Sequence, residues 1–89
     1  MSESLVTNVN ENAAIKIFCD EQRHLVCVPF SVENLHRMAS FLGIKRCWFH
    51  KSKFPHYDIP KRMIADVTSK CIMVTTRDIL LIVKGEFRE

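Results

Sequence analysis

SVENLHRMASFLG (Ser31–Gly43) reads as a helix with both ends marked. Ser31 is a good N-cap, and Phe30 and Leu35 occupy the two places of a hydrophobic staple. Val32, Leu35, Met38, Ala39 and Leu42 recur at helical spacing, and Gly43 stands where a left-handed glycine closes a helix. Upstream, IKIFC (Ile15–Cys19) and HLVCVPF (His24–Phe30) read as strands rich in Ile, Val and Phe. Only Asp20–Arg23 separate them, so an antiparallel hairpin is expected.

Downstream, Ile44–Phe49 reads as a third strand and Ser52–Asp58 as a loop containing Pro55. A second helix is expected from about Pro60 to Ser69, with Met63, Ile64 and Val67 inward. Cys71–Thr75 reads as a fourth strand. Thr75-Thr76-Arg77-Asp78 resembles a capping-box entry into a last helix, although Ile79–Val83 also suits a strand. The expected fold is a small single α/β domain, β-β-α-β-α-β-α, with a mixed four-stranded sheet and packed helices. It spans residues 15–89 behind a flexible, polar N-terminal tail, residues 1–14. Right-handed helical crossovers would make strands two, three and four parallel. Phe30, Ser31, His50 and Thr75 would then lie at their carboxyl ends, with Asp20, Arg23, Lys45 and Arg46 at the opposite edge.

Eighty-nine residues, 47% hydrophobic and 26% charged, suit one globular core. The net charge is +3, but Lys45–Arg62 alone carries six cations against one anion, leaving −2 for the remainder. The positive field is therefore concentrated. The longest apolar run, Ile79–Val83, is too short to span a bilayer, and the polar stretch 1–14 leads to the expectation of no signal peptide. The four cysteines form no CxxC pair. Free thiols and a cytoplasmic location are expected.

The segment KRCWFHKSKFPHYDIPKR (Lys45–Arg62) is the chemical centre of the sequence, with two His and four aromatics among its cations. Cations suit phosphates, and ring faces suit bases or sugars. His56 and Asp58, two apart in an extended segment, point the same way and form a candidate acid–base pair. Asp58 also stands where it could cap the second helix. Lys61 and Arg62 fall in that helix's first turn, where a bound anion would relieve their conflict with the helix dipole. Trp48 divides between packing and stacking. His24, His36, His50 and His56 offer nitrogens and Asp20 and Asp58 oxygens, but their spacings match no standard zinc pattern. No metal and no cofactor are expected. Two glycines exclude a glycine-built phosphate cradle.

IFCDEQ, ENLHRMASFLGIKRCWFH, PHYDI, PKRMIA and IMVTTRD together resemble DUF4031, a small bacterial and phage domain family of unknown function. The resemblance covers about residues 15–79. It implies a strand ending in Asp, a helix with L-H-x-M-A, a G-[IV]-x-R-x-W-[FY] stretch, H-Y-D-[IL], and S-K-R-x-x-A before a strand. It carries over Asp20, His36, Arg46, Trp48, His56, Tyr57, Asp58, Lys61 and Arg62 as candidate site residues. The chain departs in a shorter loop after Asp20 and a shorter link from Asp58 to Lys61. No activity follows from the resemblance.

The leading expectation is a domain that binds a phosphate ligand, nucleic acid or nucleotide. Arg46, Lys61 and Arg62 would engage phosphate, Tyr57 and Trp48 would stack or pack, His56 and Asp58 would hydrogen-bond, and the resemblance adds Asp20 and His36 as ligand-binding residues. One alternative is a small phosphoester-processing enzyme with His56 as general acid/base and Asp58 orienting it. Another is a protein-binding adaptor or inhibitor of phage type. No membrane partner is expected.

Overall fold

The computed structural model describes residues 15–88, so the expected N-terminal tail lies outside the described residues. The order is β1 (Lys16–Cys19), β2 (His24–Val28), α1 (Val32–Leu42), a 3-10 turn (Arg46–Trp48), β3 (Phe49–His50), β4 (His56–Asp58), a 3-10 turn (Lys61–Met63), α2 (Ile64–Thr68), β5 (Ile72–Met73) and α3 (Thr76–Lys84). This is a small α/β domain with a mixed five-stranded sheet, ordered β3-β4-β2-β1-β5. Only β1 and β5 run parallel; the other three pairings are antiparallel.

Both long helices end as their sequences dictate. The Ser31 side chain accepts from the Asn34 N–H at 3.0 Å, and Gly43 closes α1 at φ 79°. Thr75 caps α3, and Asp78 completes a capping box, which settles the last apolar run as a helix. In the hairpin turn Asp20 Oδ1 accepts from the Gln22 and His24 N–H groups, both at 2.9 Å. Arg23 takes a left-handed φ of 68° there, a conformation most side chains avoid. Its carbonyl accepts from the Ile59 N–H at 2.9 Å, which ties the hairpin to the end of β4.

Four expectations need correction. The expected loop Ser52–Asp58 contains a strand, His56–Asp58, paired on both sides by β3 and β2. A three-residue strand is too short to show in sequence pattern, because its partners rather than its propensity hold it. The expected third strand is mostly a 3-10 turn, with Phe49 and His50 alone extended. Strand β5 runs parallel to β1 and therefore antiparallel to β2, so the expected common direction of strands two, three and four fails; β4 occupies the other edge of β2, and β5 joins the sheet beside β1. The second helix is broken into a three-residue 3-10 turn and five α-helical residues, with Val67 buried and Ile64 exposed.

The parallel neighbours β1 and β5 also bring Cys19 and Cys71 to a Cα separation of 6.4 Å, and a disulfide joins them. Four free thiols are therefore not found; Cys27 and Cys47 are the free ones. Burial pushes the Cys27 thiol up to about 11, which leaves it inert near neutrality.

The strand period of two divides the sheet into faces. Phe49, Tyr57 and Leu25 stand opposite one another and share one face. Helix α1 covers them, with His36 packed edge-on against both Phe49 and Tyr57. The other face carries Phe18 and Val26 on β1 and β2. Helix α3 packs on β2, and Phe87 beyond it meets Phe18 edge-on at 5.3 Å. Further along that second face, over β2, β4 and β3, the side chains become His24, Asp58, His56 and His50.

Candidate functional site

The pairings place these four polar residues side by side. His24 stands opposite Asp58, and His50 stands opposite His56. Their side chains keep exposures of 32%, 31%, 52% and 19% in the order His24, Asp58, His50, His56, so the patch is open to a ligand while its rings stay packed. His50 stacks on His56 at 5.1 Å, and His24 meets His56 edge-on at the same distance.

Asp20, only 3% exposed, anchors one side of the patch. Its Oδ2 accepts from Thr76 Oγ1 at 2.7 Å and from His24 Nδ1 at 2.9 Å. Burial alone pushes the Asp20 carboxyl up; the Thr76 and His24 hydrogen bonds outweigh it, so the pKa is lowered and the carboxylate is charged. A carboxylate only accepts, so His24 Nδ1 carries a proton, and in the neutral ring Nε2 holds the lone pair. His56 is set the same way: Nδ1 lies 2.8 Å from the Phe54 carbonyl, which also only accepts. His50 Nε2 lies 2.7 Å from Asp58 Oδ2, leaving Oδ1 to face His56 Nε2 at 3.4 Å.

Thr76 reaches Asp20 because β5 runs parallel to β1 and ends beside it. The Val74 N–H donates to the Cys19 carbonyl at 2.8 Å. Asp20 and Thr75 therefore share one end of the sheet. The expectation that Asp20 and Arg23 lie at the opposite edge from Thr75 fails, because it took the last strand to run parallel to β2, whereas β5 runs parallel to β1. Asp58 engages His50 and faces His56 instead of capping the following helix, whose N-cap positions carry no side-chain bond. The dipole argument for Lys61 and Arg62 weakens too, since two short helical pieces have little aligned dipole.

The expected site residues fall into two groups. Asp20, His56 and Asp58 converge on the open patch, and exposed Lys61 and Arg62 follow Asp58 along the chain. His36, Tyr57, Arg46 and Trp48 do not join them. Tyr57 is 1% exposed and its hydroxyl lies 2.7 Å from His36 Nδ1. A ring so enclosed offers no face to a base. Burial raises the Tyr57 hydroxyl's pKa, although the charge of Arg46 and its hydrogen bond pull the other way. Burial and then the Arg46 charge lower that of His36. Trp48 is half-buried against the core.

The structure adds His24, His50 and Thr76 to the site. The four-residue spacing of Asp20 and His24 across a hairpin turn was the readable signal. Thr76 had no local signal at all. A recess of about 330 Å³ lined by Val28, Phe30, Ile82, Val83 and Phe87 lies at the far end of β2 from His24 and holds none of this chemistry.

The sequence of the patch and its supports runs unbroken through a family model that matches residues 13–84, described as protein of unknown function (DUF4031). The chain belongs to this family. No curated protein and no solved structure matches it. Among the described residues of this DUF4031 domain, no helix is long and apolar enough to cross a membrane.

Proposed function

We propose that this DUF4031 domain processes phosphoesters of a nucleic acid or nucleotide at the His24–His56–Asp58 patch. The observation that carries the reading is the convergence of two imidazoles with fixed tautomers and a carboxylate on one open face. Stacking recognition through Tyr57 loses its platform, so the enzyme reading is favoured over the purely binding one.

Cations border the patch along the chain: Arg23 precedes His24, Lys61 and Arg62 follow Asp58, and Arg77 follows Thr76. They suit a substrate phosphate and the charge that grows on its oxygens during reaction. His24 Nε2, backed by the Asp20 carboxylate, is placed to accept a proton from an attacking water. The water oxygen bonds to phosphorus, the ester P–O bond breaks, and the departing oxygen takes up a proton.

The test is hydrolysis of bis(p-nitrophenyl) phosphate and of a short single-stranded oligonucleotide by the full chain. His24→Ala and His56→Ala should each abolish turnover, while Lys53→Ala, whose ammonium lies over Phe54, should retain it. Lys61→Ala with Arg62→Ala should weaken oligonucleotide binding by about 2–4 kcal/mol, with a shallower salt dependence. Turnover that survives loss of both histidines would reject the reading.

A further inference from the structure

We propose that His24, His56 and Asp58 hold a divalent transition-metal ion, of the zinc or cobalt kind, with His24 and His56 binding through Nε2 and Asp58 through Oδ1. Each of the three offers one donor atom, and these atoms lie within 4.8 Å of one another. The ion is argued from the donor geometry alone. Only its use in catalysis rests on the phosphoester reading, and with an ion bound the His24 Nε2 lone pair would be a metal bond, so activation of the water would pass from that nitrogen to the ion.

The strongest sign is the contact between His56 Nε2 and Asp58 Oδ1. With its Nδ1 proton directed to the Phe54 carbonyl, the neutral form of His56 turns a lone pair toward a carboxylate oxygen at 3.4 Å. Two acceptors face each other, which is unfavourable unless a positive charge lies between or beside them. A charge-assisted N–H···O bond would close to about 2.7–2.9 Å. Two donors held by one tetrahedral ion, with bonds of about 2.0–2.1 Å, sit about 3.3 Å apart.

The surroundings carry the second sign. Histidine ligands of metals usually donate the other ring N–H to a carboxylate or backbone carbonyl, which fixes the ring and the tautomer. His24 does so to Asp20 and His56 to Phe54. Asp58 is oriented alike, with Oδ2 taken by His50. Asp20 is itself held by Thr76 and by two backbone N–H groups. All three ligands thus have the far atom occupied and the near atom open.

The donor types select the ion. Two imidazoles and one carboxylate favour zinc, cobalt and their neighbours over magnesium or calcium, which take oxygen shells. Three protein donors leave a position for water or a phosphate oxygen, the arrangement of catalytic rather than structural sites. The sequence spacings, which match no zinc pattern, mislead here because the ligands come from two strands paired across the sheet.

The test is titration of the full-length, tag-free, chelator-stripped protein with Co²⁺, followed by visible absorption and by calorimetry, with Zn²⁺ as competitor. One ion per chain should bind. His24→Ala, His56→Ala and Asp58→Ala should each abolish binding or weaken it strongly. Asp20→Asn, which leaves all three ligands in place but disturbs the support of His24, should weaken it about 10–100-fold. His36→Gln and Cys47→Ser should leave it unchanged, with circular dichroism showing that every variant is folded. No saturable uptake by the wild type, or uptake indifferent to the His24 and Asp58 substitutions, would overturn the site. Uptake without phosphodiester turnover would keep the metal site and remove the phosphoester reading instead.

Discussion

Strand β4 is three residues long, and its two faces have opposite characters. Tyr57 points into the core under α1, with its hydroxyl on His36 and its ring against Phe49. His56 and Asp58 point the other way, onto a face where side chains are polar and part-exposed. One backbone thus presents a packing element and a chemical element in alternation. The core face fixes where the strand lies, and the open face inherits that position to within the play of two side chains.

The largest expected effect tests the core face. Tyr57→Ala should lower the unfolding free energy by about 3–5 kcal/mol in urea denaturation, through the lost ring and the cavity it leaves. His56→Ala should change it by no more than about 1 kcal/mol, since it surrenders one hydrogen bond at a part-exposed position. Equal losses for the two would end the division between the faces.

Asp20→Asn sharpens the comparison from the other side, because Asp20 is the buried footing of the open face. Replacing a carboxylate that accepts four hydrogen bonds should destabilise by about 1–3 kcal/mol in the same assay, a value between those of the two faces.

Tyr57→Phe isolates the hydroxyl from the ring. Thermal unfolding should show a loss of about 1 kcal/mol, as His36 Nδ1 is left without its partner. Metal and phosphoester assays should be unaltered by this change, since the hydroxyl is on the wrong face.

The smallest effect is in pH. The native pKa of His36 is lowered by burial and by the Arg46 charge, so the unfolded chain takes up a proton that the native state resists. His36 therefore contributes stability that is fully present above its ordinary value of 6.5 and is lost as pH falls below it toward the native pKa. Denaturation curves across this window should show a shallower slope for His36→Gln than for wild type. An identical slope would mean that the core face carries no titrating group. Asp20, whose pKa is lowered, acts in a separate window: its stability is lost only as pH falls below 3.8 through the native value.

What was legible in the sequence was local. Ser31, Gly43, Thr75 and Asp78 mark helix ends through bonds to residues three or four positions away, and a chain can display such spacing by itself. The hairpin around Asp20–Arg23 is local for the same reason, and so is the shared direction of His56 and Asp58. The DUF4031 pattern, read from several short motifs, also needed no coordinates.

Strand pairing is not local, and it decided the rest. Because β4 takes one edge of β2, β5 is left to β1, and Thr76 arrives at Asp20 from 56 residues away. Because His24 stands opposite Asp58, two segments 34 residues apart supply one donor set. Sequence spacing could pair His56 with Asp58, but it could not place His24 beside them. Hydrogen-bond ladders between distant segments, closed against loop entropy, set that proximity, and they exist only in the folded sheet.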